Sequence, residues 1–228
     1  MSESVQVLKL AVCLFDDVAL LDFTGALEQF GFLVPHIALD PKSPFYIASK
    51  FAIDPIYLGP TEAPVRPATG PHLVPTRTYG SVQNGEQFDL ILVPGGIGSF
   101  PDAVPQSLIS FLKRQAPGAK YVLSVCTGSW VLAQAGLLQG KRATTNKASF
   151  SMIKNATEGQ GIAWVPKARW VVDGNYWTSS GVTAGADMGN AFLVHLVGDE
   201  ATKKIRGVVE ISVRDEGDDD FAAFYGLV

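Results

Sequence analysis

Cysteine and histidine are scarce in this chain: two cysteines, Cys13 and Cys126, and three histidines, His36, His72 and His195, among 228 residues. Two cysteines build no disulfide framework, and neither lies in a Cys-x-x-Cys or Cys/His spacing suited to zinc. No metal or other cofactor is expected, and the free thiols point to a reducing compartment, the cytoplasm. Long apolar runs are missing as well. No stretch approaches about 18 consecutive apolar residues, and Met1 to Lys9 lacks the apolar segment behind basic residues that marks a signal peptide. No membrane partner is expected. Positive charge is not in excess either: the formal net charge is −4, and no Lys/Arg cluster follows a phosphate backbone. Nucleic acid is therefore not expected as a partner.

What remains is an ordinary globular composition, 47% hydrophobic and 18% charged, long enough for one sizeable α/β core. The expectation is a single domain over residues 1–228. Lys9 to Phe15 and Phe88 to Val93 are near-continuous apolar runs, as in strands buried on both faces of a parallel sheet. Cys13 lies in the first of them and reads as a structural thiol. Thr24 to Leu33 reads as a helix, with Asp22 at its entrance. Nine prolines break residues 34–80, where short extended strands near 45–49, 54–58 and 72–76 are expected, at sheet edges. Further along come a helix over Pro105 to Gln115, a strand over 120–125, a strand opening at Lys141, and a hairpin with arms from Trp164 to Val172 and Tyr176 to Ser179 that turns at Asp173-Gly174. Helices over Met188 to Val197 and Asp199 to Ile211 follow, and the acidic run Asp215 to Asp220 reads as solvated. Alternating strands and helices predict a doubly wound, mostly parallel sheet flanked by helices.

Ser124-Val125-Cys126-Thr127-Gly128-Ser129 is the informative segment. A buried strand leads into small residues and then a helical pattern, the layout of a nucleophile elbow with Cys126 at its apex. Free N–H groups at the helix start favour the thiolate, so a lowered thiol pKa is expected; the alternative is a small buried hydrophobe at a strand end. Ligands of such sheets bind at the carboxyl ends of strands, where Asp22, Gly95-Gly96 and Cys126 all fall. Asp22, if desolvated beside the sulfur, has a raised pKa and handles protons; otherwise it caps its helix. Backbone N–H groups near Gly95, Gly96 and Thr127 are candidates for an anion pocket, and the Thr127 hydroxyl either faces substrate or bonds locally at the helix start. A histidine base is absent around Cys126. His195 falls in an apolar helix pattern and reads as a satisfied core residue.

At Leu21-Asp22-Phe23-Thr24-Gly25, Val93-Pro94-Gly95-Gly96, Ser124 to Ser129, Ala133 to Thr145, Asp173-Gly174-Asn175 and Gly181 to Gly185, the chain resembles the ThiJ/PfpI superfamily and, within it, the isocyanide hydratase branch. The resemblance implies a flavodoxin-like sandwich of the class I glutamine amidotransferase-like kind, a homodimer, and a small-molecule substrate. It further implies Cys126 as nucleophile, Asp22 as its acidic partner, and Thr127 with the Gly96 loop holding the reacting groups. The thiolate of such hydratases attacks the terminal carbon of an isocyanide, and water converts the thioimidate to an N-substituted formamide. Two departures stand out. Where hydratase-like relatives read Thr-Thr-His-Trp, this chain has Thr144-Thr145-Asn146-Lys147, and the Pro-rich segment at 34–80 looks like an insertion. Two other functions share the nucleophile: a glyoxalase-like activity on methylglyoxal, and a redox or stress-responsive protein with an oxidisable Cys126.

Overall fold

The computed structural model describes residues 5–228; residues 1–4, part of the stretch read above for a signal peptide, lie outside the described residues. In chain order the first half holds β1 (Gln6–Cys13), α1 (Leu20–Phe30), α2 (Pro35–Ala38), β2 (Phe51–Gly59), β3 (Arg77–Thr78), β4 (Leu90–Val93) and α3 (Gln106–Gln115). The second half holds β5 (Tyr121–Ser124), α4 (Gly128–Gln134), β6 (Arg142–Ala143), α5 (Phe150–Ala156), β7 (Ala163–Trp164), β8 (Trp170–Asp173), β9 (Tyr176–Ser179), α6 (Val182–Val197), α7 (Asp199–Val209) and α8 (Phe221–Phe224).

The main sheet runs β3-β2-β1-β4-β5-β9-β8, and every neighbouring pair is parallel except β8 with β9. This is the doubly wound sheet that the alternation of strands and helices predicts, of the flavodoxin-like kind that the resemblance implies. From β1 the chain winds outward through β2 to β3, then returns to the other side of β1 as β4 and continues outward. The crevice between the carboxyl ends of β1 and β4 is thus the switch point where such sheets bind ligands.

Four local readings are corrected. β2 lies between β3 and β1, not at the sheet edge, yet it carries Pro55. β3 pairs only with Leu58 and Gly59, and Tyr57 N–H, on the same side as the missing proline donor, bonds to Thr76 Oγ1. Pro55 therefore faces an open edge, where no donor is needed. No strand forms at 45–49 or 72–76. The arm leading into the hairpin is split: Ala163–Trp164 pairs with β6 in a separate two-stranded sheet. The acidic run is not wholly solvated, because Asp219 is buried.

α1 and α6 pack closely on one face, and this contact sets the position of Asp22. Gln29 donates to Ala186 O at 2.8 Å and accepts from Asn190 Nδ2 at 3.0 Å, tying the helices by side chains buried between them. A Cβ on Gly189 would lie 2.9 Å from the Ala26 Cβ. Gly189→Ala is expected to lower the urea midpoint, because overpacking of about 1–3 kcal/mol outweighs a helix-propensity gain of about 1 kcal/mol. An unchanged or raised midpoint contradicts this packing.

Candidate active site

Cys126 sits between β5 and α4 with φ of 59°, a left-handed conformation costing a non-glycine residue about 1–3 kcal/mol. Its surroundings hold it there. Cys126 N–H donates to Ser180 O at 2.8 Å, and its carbonyl accepts from Thr145 Oγ1 at 3.1 Å and Ser129 Oγ at 3.2 Å. The residue is 8% exposed.

Asp22 comes from the first turn of α1, where Ala19 occupies the cap position and no side chain caps the helix. The capping reading of Asp22 is therefore overturned. One carboxyl oxygen, Oδ2, accepts the Gly95 N–H at 2.8 Å, while Oδ1 is buried without a hydrogen-bond partner. The Cys126 thiol faces this carboxyl, and burial pushes the Asp22 pKa up to about 6 against the opposing pull of Gly95 N–H and the thiol.

The expected lowered thiol pKa is corrected. Burial, then the Asp22 charge, pushes Cys126 up to about 12, while Thr127 N–H, the Asn146 amide and the Thr127 hydroxyl pull the other way. The helix behind the sulfur spans only seven residues, and its N–H groups do not outweigh a neighbouring carboxylate in a desolvated crevice. Asp22 is thus the more acidic member of the pair, and burial opposes ionisation of both groups.

The anion pocket expected at the glycine loop is also corrected. Gly95 N–H is committed to Asp22, and Gly96 N–H to Thr127 Oγ1 at 3.0 Å. Gly96 has φ of 127°, and a Cβ on Gly95 would meet Thr127 N and Oγ1 at 2.6 Å. The two glycines therefore bring the backbone against the elbow and leave no donor there for substrate. Thr127 makes no helix-capping bond; its hydroxyl lies 2.7 Å from Ser99 Oγ. Ser99 Oγ also lies 2.6 Å from Gly96 O, so the two hydroxyl protons serve the Ser99–Thr127 and Ser99–Gly96 contacts.

Ser99, Asn146 and Ser180 complete the site. Asn146 Oδ1 accepts Ala148 N–H at 2.9 Å, which turns the NH₂ group toward Cys126. Sequence flagged Asn146 only as a departure; Ser99 had a signal in its place four residues beyond Gly95. No histidine faces Cys126: His36 and His72 are exposed, and His195, read from the sequence as a core residue, is exposed as well and bonds Tyr121 OH at 2.8 Å. Among the described residues no His/Cys/Asp/Glu group is placed to hold a metal ion, and no helix is long and apolar enough to cross a membrane. Cys13 is fully buried, and burial drives its pKa far up.

A left-handed cysteine at a strand-to-helix elbow, paired with a buried carboxyl from the neighbouring β1–α1 junction, defines a class of α/β proteins with a cysteine–carboxyl crevice at the switch point. Residues 9–195 match the DJ-1/PfpI family, and the chain belongs to that family. An isonitrile hydratase of Pseudomonas putida is 37% identical over 182 residues, 78% of this chain and 76% of that protein. A deglycase of Pyrococcus horikoshii is 36% identical over 101 residues, 44% of this chain and 57% of that one. A ThiJ/PfpI family protein from Pseudomonas syringae superposes with a TM-score of 0.76 at 25% identity, covering 92% of this chain and 78% of that one.

The raised Asp22 pKa carries a stability consequence. The native carboxyl binds its proton more tightly than the unfolded one, so stability is greatest below the unfolded value of 3.8 and falls as pH rises through about 6. The burial cost above that range is at most about 3 kcal/mol. Asp22→Asn is expected to raise Tm at pH 8 relative to wild type, and by less at pH 4. A gain that is equal at both values contradicts the shift.

Proposed function

We propose that the protein hydrates an isonitrile to an N-substituted formamide, with Cys126 as nucleophile and Asp22 as the proton carrier. The observation that carries this reading is the buried Cys126–Asp22 pair, which supplies a base for the thiol without any imidazole. Similarity to the hydratase over most of both chains supports the same reaction class.

In the resting site Asp22 is a carboxylate and Cys126 a thiol. As sulfur attacks the terminal carbon of R–N≡C, its proton passes to Asp22. Asp22 returns that proton to the same carbon, whose lone pair accepts it, and the product is the thioimidate S–CH=N–R. Water adds to the C=N carbon, its proton going to nitrogen through Asp22, which gives S–CH(OH)–NH–R. Collapse then breaks the C–S bond, releases R–NH–CHO and returns the hydroxyl proton to sulfur. The Asn146 NH₂ and Thr127 N–H stabilise the sulfur whenever it carries negative charge. The Ser99–Thr127 hydroxyl pair keeps the glycine loop against Asp22.

The Cys126 thiol is buried, whereas a redox sensor depends on an accessible one. That burial suits a nucleophile that ionises only as substrate arrives.

Formamide production from cyclohexyl isonitrile is expected from the wild type, with Cys126→Ala and Asp22→Asn each losing at least about 100-fold in kcat, the scale of a lost general base. Wild-type kcat/KM should rise with pH and level off above an apparent pKa near 6, where Asp22 becomes a carboxylate. Loss of methylglyoxal without any formamide, or turnover surviving Asp22→Asn, contradicts the proposal.

A further inference from the structure

Beside the elbow lies a cavity of about 230 Å³, lined among others by Asn146, Ala148, Ser180, Val182, Phe221 and Tyr225. Cys126 is not on its wall, but two wall residues hold it. Asn146 bonds the sulfur, and Ser180 O accepts the Cys126 N–H at 2.8 Å. Phe221 and Tyr225 belong to the carboxyl-terminal segment, outside the family-matched residues 9–195.

That segment is fixed by buried charge. Lys147, adjacent to Asn146, bonds Thr144 Oγ1 and Ala168 O at 2.8 Å each and pairs with Asp219 at 3.2 Å, both side chains being 2% exposed. Asp187 is held by the Arg169 guanidinium, and its other oxygen accepts Arg214 N–H at 3.1 Å. Arg169 N–H donates to Glu216 O at 2.7 Å. Both cations at the cavity, Lys147 and Arg169, are therefore already matched by carboxylates, and neither is left to attract an anionic ligand. The remaining wall is largely apolar, and an apolar cavity of about 150 Å³ already admits benzene.

We propose that this cavity is the subsite for the substituent of the substrate, and that Phe221 and Tyr225 make it selective for a neutral aryl or cycloalkyl group. The proposal rests on the hydratase reading for the identity of the reacting group, not for the existence of the subsite. The substituent lies against Phe221 and Tyr225 while the reacting carbon reaches past the Asn146 amide to the sulfur. Lys147 and Asp219 are positioning residues that hold the tail over the cavity.

The test compares KM for benzyl and methyl isonitriles in the wild type, Phe221→Ala, Tyr225→Ala and Ala148→Phe. The first two variants strip the wall; the third fills the cavity from an exposed position and leaves the tail untouched. The benzyl-to-methyl KM ratio is expected to rise about tenfold in each, as lost burial of part of a phenyl ring implies, with the kcat ratio held within about twofold. An isonitrile bearing a carboxylate should bind worse than the benzyl compound in the wild type. In parallel, Cys126 is alkylated with N-benzylmaleimide and N-methylmaleimide, and the rate ratio should fall in the same three variants. Absence of isonitrile turnover with a shifted alkylation ratio overturns the hydratase reading and leaves the subsite standing. Ratios unmoved in Ala148→Phe, or a carboxylate preferred over benzyl, overturn the subsite.

Discussion

A buried thiol facing a buried carboxyl is the constraint on which this site depends. Burial raises both pKa values, and the Asp22 charge further disfavours the thiolate, while the thiol's hydrogen bond favours the carboxylate. The pair is held together by parts of the fold that have no other reason to meet. β1 and α1 deliver Asp22, the glycine loop after β4 fixes its Oδ2, and β5 ends in the left-handed cysteine. All three lie at the point where strand order reverses, so the sheet topology and the chemistry have a common cause. The strain at Cys126 is sustained by three hydrogen bonds to its own backbone groups. The geometry of the pair is thus set before any ligand arrives, with Asp22 Oδ2 steadied by the Gly95 N–H.

The strand–helix junctions were legible because strands buried on both faces read as apolar runs. Their flanking motifs placed Asp22, Gly95 and Cys126 at the same end of the sheet. Helix starts were less so. α1 begins at Leu20, before the sequence reading at Thr24, since Ala19 supplies no capping side chain. α6 begins at Val182, before the sequence reading at Met188. There Gly185 answers a packing need, since a Cβ would lie 2.5 Å from Val125 Cγ1 beside the elbow. The site's electrostatics were the least legible part. A local motif shows the helix start behind Cys126 but not the carboxylate facing it, and it shows glycine N–H groups but not the partners that already hold them.

The carboxyl-terminal segment makes the same point at longer range. An acidic run of this kind is ordinarily solvated, and Asp218 and Asp220 do reach Arg214 at the surface. Asp219 instead finds Lys147, a residue in the loop after β6. Breaking such a pair by removing one partner leaves an uncompensated buried charge, which costs about 3–5 kcal/mol. The departure at Asn146-Lys147 therefore becomes intelligible as a unit: Asn146 contacts the sulfur, and Lys147 fastens the segment that walls the neighbouring cavity.

The account stands or falls on the electrostatic coupling of Cys126 to Asp22. Ultraviolet titration of the Cys126 thiolate, with the Cys126→Ala protein subtracted to remove Cys13 and the tyrosines, measures it directly. Replacing Asp22 by Asn should move the thiol titration to lower pH, because the second-largest cause of its elevation is removed while the Thr127 and Asn146 donors remain. A thiol pKa that is unchanged or higher in Asp22→Asn would show that the two groups are not coupled.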